Sequence, residues 1–150
     1  MAAVDPDNEA TFKVIEIPSA LKATREPQET VLKEAEDCGF CGDTLFAIKL
    51  ALEEAMSNAV KHGNKCDPAK RVTIRYAVTD ERLVVVVADE GGGFAPESVP
   101  DPTTRDRLPL PNGRGIMLMR AYMDVVEYRN NGAEVYMMKR KPEAEDRAAQ

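Results

Sequence analysis

The sequence predicts an α+β domain, a two-layer α/β sandwich in which helices cover one face of a mainly antiparallel sheet. Three observations carry this expectation. Stretches 12–17, 71–78, 83–88, 125–128 and 134–139 are β-rich and of strand length. Helical periodicity comes in blocks, concentrated between the first and second of these stretches, and not in strict βαβ alternation. The later strands fall into two pairs, each joined by a short turn-forming segment, as antiparallel hairpins require.

Taken in order, residues 1–10 are polar and expected to be loose and flexible, residues 11–140 form the folded unit, and residues 141–150 read as a charged, flexible tail. Residues 12–17 alternate as a first strand that ends at Pro18. Residues 19–40 are helical in pattern but carry Pro27, which begins or breaks a helix, so a continuous helix is expected over 28–37. Asp43 or Thr44 can cap the next helix, which runs to about His62. Leu45, Ile48, Leu52, Ala55, Met56 and Ala59 give it an apolar face before Gly63-Asn64 stops it. Residues 79–82 join the 71–78 and 83–88 strands as a hairpin. Five prolines and little periodicity make 96–111 a long surface loop. Residues 115–122 then read as a short helix, and Asn130-Asn131-Gly132 turns a closing hairpin.

A chain of 150 residues is long enough to bury a core without disulfides or metal, and is read as one domain. The formal charge of −6, with no Lys/Arg block, excludes a basic face for nucleic acid or an anionic membrane. Three cysteines and no basic-then-apolar leader point to the cytoplasm. Cys38 and Cys41 form a C-x-x-C with no second pair at zinc spacing, so they read as small residues at a helix end. The longest apolar run, 83–88, falls far short of the roughly 20 residues that span a bilayer.

Three short segments carry the chemistry. Glu54 and Asn58, with His62 a turn later, share a helix face, because residues four apart do so. An amide oxygen is a hard ligand for Mg²⁺, and a carboxylate can orient or deprotonate an attacking hydroxyl. Taken alone, such a stripe is more often the wet side of a helix. Asp89 ends an apolar strand and precedes Gly91, Gly92 and Gly93, which let a flat ring lie against the backbone. A buried carboxylate there can accept the exocyclic N–H of adenine, although a lone Asp before a turn is usually solvated. Gly113-Arg114-Gly115 stands where the proline-rich loop meets a helix, so its N–H groups favour phosphate oxygens, with Arg114 or Arg105 adding charge. Neither the G-x-x-x-x-G-K-[ST] phosphate loop nor the dinucleotide G-x-G-x-x-G is present.

In this order the three segments resemble the N, G1 and G2 boxes of the GHKL ATPase superfamily, shared by histidine kinases, gyrase and mismatch-repair ATPases. The resemblance covers roughly residues 12–140. The 54–63 and 113–124 segments are most similar to anti-sigma-factor serine kinases. The resemblance implies a bent, mixed but mainly antiparallel sheet and ATP bound between helices and sheet. It places Asn58 on Mg²⁺, Asp89 on adenine, Gly91 and Gly93 in the pocket, Gly113 and Gly115 in a lid over the phosphates, and Glu54 as general base. His62 matches a position near the phosphates, or else shapes the helix end. The family often carries Gly-Thr-Thr on the closing strand; here Gly132 precedes Ala133 and Glu134, so the threonine contact to adenine is missing.

Two functions of different class follow from the resemblance. One is an ATP-dependent protein-serine/threonine kinase and anti-sigma factor acting in partner switching. Its substrate is an anti-anti-sigma (STAS-type) protein, and a sigma factor and a homodimer are further possible partners. The other is an ATP-gated module that binds a regulator without phosphorylating it. The catalytic domain of a histidine kinase is disfavoured because His62, the only histidine, lies inside the nucleotide motif.

Overall fold

A computed structural model describes residues 4–91 and 119–142 of the chain. Its middle strand is the apolar run that the sequence marks as most buried, β3 (Arg82–Ala88). With β1 (Lys13–Pro18), β2 (Arg71–Val78), β4 (Val125–Arg129) and β5 (Glu134–Arg140) it forms a sheet of order β1-β2-β3-β5-β4. Every pairing among these described strands is antiparallel. Alternate residues of β3 face opposite ways, and both faces are covered, which is why its sequence runs apolar and does not alternate. Leu83, Val85 and Val87 enter the main core, whereas Val84 and Val86 join Phe12, Ala77 and Met138 on the other side.

Helix α1 (Arg25–Asp37) begins three residues earlier than the expected 28, after a 3₁₀ turn over Leu21–Thr24. Pro27 falls inside its first turn, where no intrahelical N–H bond is lost, so the proline starts this helix without breaking it. Pro27, Val31 and Ala35 are buried at a spacing of four. The helix closes in a two-bond C-terminal motif: Gly39 N–H donates to Glu36 O at 3.0 Å and Phe40 N–H to Ala35 O at 3.0 Å. Gly39 adopts φ +96° there, and Phe40 is buried behind it.

Helix α2 (Gly42–Asn58) lays Ala47, Ile48, Ala51, Leu52, Ala55 and Met56 on the sheet. Its N-cap is Cys41, which makes no side-chain cap bond, and not Asp43 or Thr44 as the sequence suggested. Gly42 takes φ +54°, so the chain turns into the helix before it reaches either candidate. Asp43 still favours the positive helix end from within the first turn. The expected regular helix to His62 is also corrected: after Asn58 the backbone widens into a π-turn, Ala59–Gly63.

Both ends of the described chain are tied to the sheet. Within the N-terminal stretch expected to be loose, Thr11 N–H donates to Asn8 O at 2.9 Å, and Asp7 pairs with Arg82 at 2.5 Å. Glu9 reaches Arg129 at 2.9 Å. At the other end, Lys141 is buried and donates from Nζ to Cys38 O at 2.9 Å, so the opening residue of the expected tail packs on the end of α1. No described helix is long and apolar enough to cross a membrane.

Candidate functional site

The end of α2 meets the carboxyl end of β3 and the start of β5 around one cavity. Ala55, Asn58, Ala59 and Gly63 line it from the helix, Val87 and Asp89 from the strand, and Met119, Tyr128, Gly132, Ala133 and Val135 from the remaining sides. Its free volume is about 20 Å³, less than a purine fills.

Asp89 is placed by its backbone and held by its neighbours. Its N–H donates to Ala133 O at 2.8 Å, continuing the β3–β5 ladder past Ala88 and Glu134, and one carboxylate oxygen accepts the Gly91 N–H at 2.8 Å. Burial pushes its carboxyl above the ordinary 3.8, and the Gly91 bond and the Lys70 charge only partly oppose this. Two glycines make the approach possible. A Cβ on Gly63 would lie 2.2 Å from Asp89 Oδ2, and a Cβ on Gly91 would lie 1.7 Å from Gly63 O.

The π-turn places Gly63 in this contact. Asn64 N–H donates to Ala59 O at 2.8 Å, and the chain then leaves through Lys65 and Cys66, both at positive φ. The Asn64 side chain is fully buried. Its Oδ1 accepts the Glu90 N–H at 2.7 Å, while its Nδ2 donates to Ser19 Oγ at 2.8 Å and Arg71 O at 2.9 Å. Ser19 Oγ donates onward to Lys70 O at 2.7 Å, and the Glu90 carboxylate accepts the Arg71 N–H.

Of the residues marked from the sequence, Asn58 and Asp89 line the same cavity, and Gly91 packs on Gly63 beside them. Glu54 is half-buried one turn before Asn58 and lies outside the cavity lining. His62 is exposed on the π-turn, whose wider winding takes it out of the column of Glu54 and Asn58. Gly93, Arg105, Gly113, Arg114 and Gly115, with the expected surface loop over 96–111, lie outside the described residues. Sequence reasoning missed Asn64 and Tyr128. Burial pushes the Tyr128 phenol far above its ordinary value, against the nearby Arg120 charge. A tyrosine on a strand reads as core, and an Asn after Gly reads as a helix stop, so neither signalled its place.

The end of α2 and the strand-terminal Asp89 thus share one cavity beside an antiparallel sheet. The chain belongs to the histidine kinase-like ATPase domain family, whose model matches residues 17–139. Among individual proteins, it is 33% identical over 141 residues to the serine-protein kinase RsbW of Bacillus subtilis, covering 88% of this chain and 87% of that one. It is 31% identical over 103 residues to the anti-sigma F factor of Clostridium perfringens, covering 65% and 74% respectively. The fold matches the crystal structure of the RsbU and RsbW domains of a Mycobacterium tuberculosis protein with a TM-score of 0.55 at 14% identity. That match covers 85% of this chain, which spans 32% of the solved one.

Proposed function

We propose that this domain is a protein-serine/threonine kinase that moves the γ-phosphoryl group of ATP to an anti-anti-sigma protein of STAS type, and that it also acts as an anti-sigma factor, holding a sigma factor, as a homodimer. The observation that carries the reading is the convergence of Asn58 and Asp89 on one cavity, in a chain 33% identical to a serine-protein kinase. The donor set suits the ligand. Asp89 offers a partly desolvated acceptor to an exocyclic N–H, and the close Gly63–Gly91 contact leaves a flat wall beside it. Asn58 offers a neutral oxygen to a hard cation. Bound Mg²⁺ supplies charge neutralisation at the phosphate oxygens.

Glu54 stands one turn from Asn58 on the same helix and serves as the base. As the acceptor hydroxyl oxygen bonds to phosphorus and the bond from phosphorus to the ADP oxygen breaks, the hydroxyl proton passes to the Glu54 carboxylate. Glu54→Gln keeps size and hydrogen bonding but removes the proton acceptor. Transfer to a cognate anti-anti-sigma protein should fall by about 10²–10⁴ while ATP binding survives. Asn58→Ala should weaken Mg-ATP binding itself. Phosphotransfer measured beside calorimetry separates these effects, and undiminished transfer by the Gln variant removes Glu54 from the base role. A partner that binds only with ATP and is never phosphorylated decides for the ATP-gated binding module.

A further inference from the structure

The polar knot at Asn64 lies outside the lining of the cavity. A carboxamide has one acceptor and two donor hydrogens to place when buried, and an unmatched one is costly. Here all are matched, and each leads to a different part of the chain: the β1–α1 connection at Ser19, the start of β2 at Arg71, and the turn after β3 at Glu90. Asn64 itself immediately follows the π-turn that continues from Asn58. One side chain therefore couples the helix end bearing the amide to the strand end bearing the carboxylate. Glu90 and Gly63, the residues next to Asp89 and Asn64, are bound or touched within this same unit.

We infer that Asn64 is a positioning residue for nucleotide selection: through the Glu90 N–H it holds Asp89 at the fixed distance from α2 at which its carboxylate distinguishes adenine from guanine. The inference rests on the proposed reading of Asp89 as the base-recognising group. The two hydrogen-bonding ends of Asn64 have separable roles. The Oδ1 end reaches the Asp89 turn directly, whereas the Nδ2 end joins Ser19, after β1, and Arg71, at the start of β2. Loss of the first should alter selectivity, and loss of the second should alter stability alone.

The experiment measures calorimetric affinities for Mg-ADP and Mg-GDP, with thermal unfolding, for wild type, Asn64→Ala, Asn64→Asp and Ser19→Ala. The Asp variant keeps the acceptor for Glu90 N–H and removes the donors; Ser19→Ala removes one partner of Nδ2, together with the bond from Ser19 to Lys70 O, and leaves the Glu90 contact in place. Expected is a drop of about tenfold in the ADP-to-GDP affinity ratio for Asn64→Ala. Asn64→Asp and Ser19→Ala should unfold at lower temperature yet keep the wild-type ratio. If Asn64→Ala does not fold, Asn64→Ser takes its place, since its hydroxyl stops short of the Glu90 N–H. A wild-type ratio in the Ala or Ser variant, or an equal fall in Ser19→Ala, overturns the positioning role. A wild type that binds ADP and GDP alike overturns the Asp89 reading and this inference together.

Discussion

The two faces of the sheet solve the same burial problem by different means. On the helix side, Val72, Ile74, Leu83, Val85, Val87 and Met137 pack against Ile48, Leu52 and Met56, all within one apolar cluster. On the other side the apolar patch is small, and the short segment before β1 supplies Phe12 and partly buried Val4 to it. Beside that patch, Arg75 and Arg129 share Glu9 and Glu134, and Arg129 stacks 4.7 Å from the Tyr136 ring centroid. Apolar area supplies stability on the first face; partly exposed ion pairs mainly orient a segment on the second. Among the described residues, Asn58 and Asp89 belong to neither apolar cluster and line a cavity at the rim, where the end of α2 meets the end of β3.

The largest effect expected on this comparison is from Leu52→Ala, which removes fully buried atoms from the helix side. It should lower unfolding free energy by about 2–5 kcal/mol in denaturant titration. A loss below 1 kcal/mol would mean that the helix face does not dominate stability.

At the rim the loss should fall on binding instead. Asp89→Ala should weaken adenine nucleotide by roughly 1–3 kcal/mol in calorimetry while leaving the unfolding midpoint nearly in place. If the midpoint falls and affinity does not, Asp89 belongs to the fold and not to the site.

The same residue makes a pH prediction with two opposite signs. Burial raises its folded-state carboxyl above 3.8, so its ionised form disfavours the fold. The stability it contributes is present below the unfolded value and is lost as pH rises through the raised one. On the proposed reading nucleotide recognition uses the carboxylate, so affinity should weaken as pH falls through that same raised value. Asp89→Asn should flatten this part of both profiles, measured by calorimetry and thermal unfolding over an acid series.

The smallest effect belongs to the outer face. Glu9→Ala should cost under about 1 kcal/mol, and the difference should shrink at high salt, since Glu9 and both its arginines are partly exposed. A salt-independent loss of several kcal/mol would show that this segment closes a core as essential as the one under the helices.

Periodicity and turn chemistry made the strands readable within a residue or two, as β2, β3, β4 and β5 illustrate, because each depends on local alternation and a short turn. The spacing of Glu54 and Asn58, and Asp89 at the end of an apolar run, were legible for the same reason: an element carries its own face and its own end. The departures came wherever partners distant in sequence intervene. Pro27 reads as the start or the break of a helix until the preceding 3₁₀ turn shows it inside the first turn of α1, and residues 1–10 read as loose until the arginines of β2, β3 and β4 take up Asp7 and Glu9. The π-turn and Asn64 are the clearest case. Regular helix is the local expectation through His62, and only the meeting of α2 with the turn after β3 decides otherwise. There, a backbone contact between Gly63 and Gly91 and a buried amide with partners 45, 7 and 26 residues away favour the wider turn. The sequence by itself therefore determined which residues stand on each helix and strand, since that rests on local sterics and alternation. Tertiary structure alone decided how the end of α2 is wound against Asp89, because the hydrogen bonds responsible do not exist until the sheet has formed.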